Sequence, residues 1–146
     1  DVMITAGPTH EYLDPVRYIA NPSSGKMGYE LAKIAWYRGA NVTLISGPTS
    51  IDAPVGVNLV QVTTAEEMYE ACFKHAAQSD IIIKAAAVGD FRVEKIMTDK
   101  IKKENLSTLQ LIENKDIAAS LGKLKNEGQT LVGFAAESEN IEQIIL

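Results

Sequence analysis

Cysteine is almost absent from this chain. Cys72 is the only one in 146 residues, which excludes a disulfide framework and any cysteine-based metal site. A reducing cytoplasm is the expected setting. Histidine is nearly as scarce: His10 and His75 have no partners at metal-ligand spacing and read as ordinary surface or core residues. No apolar run approaches the length of a membrane helix, and the longest, over residues 81–88, is interrupted by Lys84. Excess positive charge is also missing. A net charge of −5 argues against broad nucleic-acid binding, although Lys and Arg gathered at one place still suit an anionic small substrate. No signal peptide, internal repeat or low-complexity tract is visible. The first residue is Asp1, so the expectation is an excised domain or a processed chain. Two nucleotide-binding signatures are lacking as well. Neither G-x-G-x-x-G nor G-x-x-x-x-G-K-[ST] occurs, because Gly25-Lys26 is followed by Met27 and the Mg²⁺-binding hydroxyl is missing.

What is present reads as one globular domain over residues 1–146, with 46% apolar and 23% charged residues. Strand and helix patterns alternate. Residues 2–5 form a first strand; 27–38 form a helix with Leu31, Ile34, Ala35 and Trp36 at helical spacing, capped by Gly39. Strands follow at 41–45 and 59–62, separated by a Pro- and Gly-containing loop. Thr64-Ala65-Glu66-Glu67 is a capping box opening a helix to about residue 77. Residues 80–86 are a nearly continuous apolar strand, as in the middle of a parallel sheet. Residues 88–105 turn polar and lysine-rich and read as a mobile loop. A strand (108–112), a helix (115–124), a strand (130–134) and a last helix (139–146) complete the pattern. This predicts a three-layer α/β fold, Rossmann-like, with a mostly parallel sheet and flanking helices. Ligands then bind beyond the carboxyl ends of the strands.

The stretch of residues 14–28 carries the strongest signal. About twenty residues separate the first strand from its helix, far more than a plain dinucleotide fold uses. Ser23, Ser24, Gly25 and Lys26 precede the helix N-terminus, where unpaired N–H groups and partial positive charge receive anions. The same residues also read as a loop with an N-cap. Arg17, a planar donor suited to carboxylate or phosphate, lies just upstream. Ala6-Gly7-Pro8-Thr9 fits a phosphate loop or a tight turn. Lys95, Lys100, Lys102 and Lys103 form a second cluster, either a solvated loop or one that closes over a triphosphate. Asp90 suits a ribose hydroxyl, a metal or a turn, Asn114-Lys115-Asp116 suits a ligand or a helix cap, and Cys72 reads as core packing.

Together these segments resemble the phosphopantothenoylcysteine synthetases, ligases of coenzyme A biosynthesis. The resemblance runs through residues 4–9, 14–19, 23–28, 44–48, 85–92, 100–103 and 132–137, in order. It implies joining of 4′-phosphopantothenate to L-cysteine with CTP and Mg²⁺, through an acyl-cytidylate, with release of pyrophosphate and CMP. By position it implies Asn21 as the catalytic residue. It implies Lys84, Ala85, Ala86, Asp90, Lys100, Lys115, Asp116, Ile117, Ala118 and Phe134 as nucleotide contacts. Arg17, Ser23, Ser24, Gly25 and Lys26 remain the substrate and phosphate candidates. It further implies a cytoplasmic homodimer fused to, or excised from, a flavin-dependent decarboxylase, with no flavin in this domain. Two departures stand out. Asn114-Lys115-Asp116 replaces the family's Asn-Pro-Asp, and the family continues past the equivalent of Leu146, so a C-terminal part is expected to be missing. An NAD(P)-dependent oxidoreductase and a nucleotide-binding module without turnover are the competing readings.

Overall fold

The computed structural model describes residues 1–135. Its centre is a parallel sheet of five strands in the order β5-β4-β1-β6-β9, where β1 is Val2–Ala6, β4 Val42–Ser46, β5 Asn58–Gln61, β6 Ile81–Lys84 and β9 Thr130–Gly133. Every residue of β1 is buried, because a central parallel strand is covered on both faces. Alternation divides its side chains between two cores. Val2, Ile4 and Ala6 join Val42 and Leu44 against Tyr29 and Ala32 of helix α1 (Lys26–Tyr37). On the other face, Met3, Ile45 and Ile82 pack against Met68 and Cys72 of α2 (Ala65–Ala76) and Ile117 and Leu121 of α3 (Ile117–Leu124). Three layers result, as the alternating pattern predicts.

The chain builds outward from β1 through β4 to β5, then returns through α2 to place β6 on β1's other side. Strand order therefore reverses between β1 and β6. Such sheets hold ligands in the crevice beyond the carboxyl ends of the strands at this reversal.

Outside the sheet, two predictions need correction. The long segment between β1 and α1 is no irregular loop. It contains an antiparallel ribbon, β2 (Glu11–Asp14) and β3 (Arg17–Ile19). Its turn is set locally: Asp14 Oδ1 accepts the N–H groups of Val16 and Arg17, both at 2.9 Å, and Pro15 fixes the backbone between them. Likewise, residues 88–105 contain β7 (Phe91–Val93), which pairs antiparallel with β8 (Leu111–Glu113). The predicted strand at 108–112 thus starts later and lies outside the parallel sheet. Arg92 anchors this ribbon by donating to the Glu113 carbonyl (2.9 Å) and to Asn114 Oδ1 (2.8 Å). The helix predicted at 139–146 lies outside the described residues.

Candidate active site

At the switch point the exits of β1 and β6 are zipped together. Ala85 N–H donates to the Thr5 carbonyl (3.2 Å), Ala86 N–H to Thr5 Oγ1 (3.3 Å), and Ala87 N–H to the Gly7 carbonyl (2.9 Å). Gly89 N–H donates to Thr9 Oγ1 at 2.8 Å. Thr5 and Thr9 are fully buried polar residues that hold the floor of the crevice. Ala85 and Ala86 consequently have their N–H groups engaged within the fold, and the Ala86 side chain packs against the core beneath α2 and α3.

The three α-helices among the described residues differ at their N-termini. Thr64 and Glu67 form the predicted capping box of α2, and the buried carboxylate of Glu11 accepts the Ala65 N–H at 2.8 Å. Asp116 caps α3 by accepting from Ala119 N–H at 2.9 Å. By contrast, α1 has no capping side-chain bond and no acidic residue in its first turn. Ser23 and Ser24 instead accept the N–H groups of Gly25, just before the helix (3.3 Å), and of Lys26, its first residue (3.4 Å). Gly25 makes that approach possible by adopting φ +79°, the left-handed region. Gly28 then lets the first turn lie directly on β1, where an added Cβ would collide with Ala6 Cβ. Ser23, Ser24 and Lys26 line an open cleft of about 570 Å³ with Pro8, His10 and residues 48–51. The positive end of α1 and the Lys26 ammonium make this cleft suited to an anion.

A second cleft, about 430 Å³, lies past β6 and is lined by Lys84, Val88, Asp90, Phe91, Lys115, Asp116 and neighbouring residues. Burial pushes the Lys84 ammonium below its ordinary value, and the charge of Asp116 offsets part of that shift. Lys115 is held at the rim by Glu66, with Nζ 2.6 Å from its carboxylate and 4.8 Å from the Tyr69 ring centre. The Glu66 bond raises its pKa. Asn21, two positions before Ser23 of the first cleft, donates its Nδ2–H at 3.1 Å to the carbonyl of Val88, which lines the second.

Of the other predicted site residues, Ile117 is core but also lines the second cleft, whereas Ala118 is exposed on α3 and Phe134, 57% exposed, lies just beyond β9. Lys100 lines a third cleft with Lys95 and Lys102. Arg17 pairs with Asp14 (2.7 Å) and donates to the Ile101 carbonyl (3.1 Å), so this end of its guanidinium serves the fold. Asp14 is buried. Burial alone would raise its pKa, but hydrogen bonds from the Ile101, Val16 and Arg17 amides and the Arg17 charge outweigh it and leave the carboxyl below its ordinary range. Sequence patterning does not single out Thr9, Glu11 or Asp14 for these roles. The Asp-Pro turn signature and the i,i+3 Asp14–Arg17 spacing are signals that could have found Asp14; nothing local marks Glu11, whose partner is 54 positions away. Among the described residues no three His, Cys, Asp or Glu side chains cluster as a metal site, and no helix is long and apolar enough to cross a membrane.

Comparison with known proteins matches this arrangement to a family. Residues 1–144 match the DNA/pantothenate metabolism flavoprotein C-terminal domain. The chain is 49% identical over 144 residues to the coenzyme A biosynthesis bifunctional protein CoaBC of Vibrio vulnificus, covering 97% of this chain but 36% of that protein. It therefore spans about a third of such relatives. A crystal structure of the C-terminal domain of a CoaBC protein superposes with a TM-score of 0.85 at 44% identity, over 97% of this chain and 67% of the other. The fold also recurs, at 18% identity and a TM-score of 0.70, in a Cab2 mutant complexed with phosphopantothenate-cysteine, covering 90% of this chain and 61% of that one. The chain belongs to the DNA/pantothenate metabolism flavoprotein C-terminal domain family.

Proposed function

We propose that the domain joins 4′-phosphopantothenate to L-cysteine at the expense of CTP. The observation supporting this reading is the Asn21 amide, which donates to the carbonyl of Val88 in the cleft of Lys84 and Asp90 and lies a few residues before the uncapped α1 N-terminus. An oxygen of the substrate carboxylate attacks the α-phosphorus of CTP, and the bond to pyrophosphate breaks. The cysteine amine then attacks the acyl carbon, forming the amide as the bond to CMP breaks and the amine gives up a proton. Such chemistry asks for positioning and neutralisation of charge more than for covalent help. Ser23, Ser24 and Lys26 at the α1 N-terminus receive phosphate oxygens. Lys84 and Asp90 hold the nucleotide beyond β6, with Lys115 to Ala118 and Phe134 at its margins, and Lys100 meets the triphosphate from the lysine segment. The Asn21 amide holds the acyl intermediate for amine attack.

Mg²⁺ fits this donor set, because it binds through one or two carboxylates plus substrate phosphates and keeps several waters. Asp90, Glu113 and Asp116, all exposed, are the carboxylates lining the second cleft, and Asp116 also caps α3. Bound there, the ion would neutralise phosphate charge. The homology to bifunctional CoaBC proteins supports fusion to a decarboxylase, and we extend the reading to a cytoplasmic homodimer. Supplying phosphopantothenate, cysteine and each nucleotide in turn tests the assignment. CTP should give equal amounts of pyrophosphate, CMP and amide product. Hydride transfer to NAD(P) without these products would refute it, and nucleotide binding without turnover would leave a binding module.

A further inference from the structure

We propose that Asp14 is the positioning residue of the lysine segment: its buried carboxylate fixes the backbone at Ile101 and thereby aims Lys100 at the nucleotide triphosphate. This rests on the ligase reading above. Asp14 lies at the end of β2 with its side chain fully enclosed. Its Oδ2 accepts the Ile101 N–H at 3.0 Å and the Arg17 Nη1–H at 2.7 Å. The same Arg17 nitrogen donates to the Ile101 carbonyl at 3.1 Å. Both polar groups of one backbone residue, 87 positions from Asp14, are thus held by one side-chain pair. That pairing imitates a strand partner. It leaves the Ile101 peptide little freedom to rotate, and Met97 N–H adds a further tie to the Leu13 carbonyl at 2.9 Å.

Ile101 is half-buried, whereas Lys100 and Lys102 on either side of it are exposed. In extended backbone, neighbouring side chains point to opposite faces, so seating Ile101 inward turns both lysines outward. The clamp also joins the lysine segment to the ribbon that leads into Asn21. The two halves of the proposed site are therefore registered to each other through Asp14 rather than independently. A substrate-binding role for Arg17 would have to use the donors that this clamp leaves.

Steady-state kinetics of the full chain test the assignment. Asp14→Asn keeps the shape but removes the charge, and Ile101→Pro deletes the same hydrogen bond from the backbone side, so loss of folding in one variant leaves the other informative. Each should raise KM for CTP about tenfold, the scale of a charge-assisted hydrogen bond, with KM for cysteine unchanged. Added to Lys100→Ala, Asp14→Asn should cost nothing further, because both act through one ammonium. Unchanged KM for CTP in both variants, or full additivity with Lys100→Ala, would overturn the proposal. If the unsubstituted chain released no nucleotide-dependent pyrophosphate, the ligase reading would fail separately. Positioning would then be judged from CTP affinity by calorimetry, and equal affinity in all variants would overturn it.

Discussion

Single residues set the chemistry and its pH limits. Lys84 is a cation half withdrawn from water at the end of β6. Its folded value lies below the ordinary 10.5, so between the two the unfolded chain binds more protons and stability rises with pH. Denaturant titrations across that window should show the rise, and Lys84→Met should abolish it; an unchanged slope would contradict the burial argument. Asp14 behaves oppositely. Its carboxyl is depressed below 3.8, so its stabilising contribution is complete above that pH and is lost as pH falls through the folded value. Asp14→Asn should therefore flatten the acid limb of the stability curve. Asn21→Asp should let the acyl-cytidylate accumulate and slow amide formation by about 10²–10³-fold, the cost of a lost oxyanion donor. Undiminished amide formation would remove Asn21 from the mechanism.

At the scale of elements, α1 and α2 contrast. The α2 N-terminus is closed by Thr64, Glu67 and the buried Glu11, whereas that of α1 is uncapped and seated on β1 through Gly28. Gly28→Ala should destabilise the fold by about 1–3 kcal/mol, because the new methyl meets Ala6 and the Thr5 carbonyl, which belong to the central strand. Thermal unfolding measures that loss, and phosphate affinity should fall with it as the helix end is pushed from the crevice. A Gly28→Ala protein as stable as the parent would refute the close-approach argument.

Local signals explain which elements were legible. The capping box of α2, the apolar run of β6 and the periodicity of α1 lie within short windows, and the structure has them where the sequence places them. The ribbon β2–β3 escaped because its strands have four and three residues and carry mixed polar and aromatic side chains. The β7–β8 pair escaped because three-residue strands about twenty positions apart leave no alternating pattern. Among the candidates, the place of the serines and Lys26 before a helix was readable, and the structure has them lining a cleft there. That Arg17 would clamp Ile101 was not, since such a pairing exists only once the chain has folded.

On the scale of the whole molecule, the reversal of strand order between β1 and β6 brings two polar segments to one edge. One carries the anion cradle and Asn21, and the other carries Lys84, Asp90 and, further on, the lysine segment that Asp14 holds. The long insertion after β1 thus does more than lead into the uncapped end of α1: its ribbon carries the Asp14–Arg17 pair that ties it to Ile101. The most direct test of this account omits cysteine. With CTP and 4′-phosphopantothenate alone, the protein should release pyrophosphate while retaining the cytidylyl group, and adding cysteine should then release CMP in equal amount. CMP release that needs no cysteine, or no pyrophosphate at all, would contradict it.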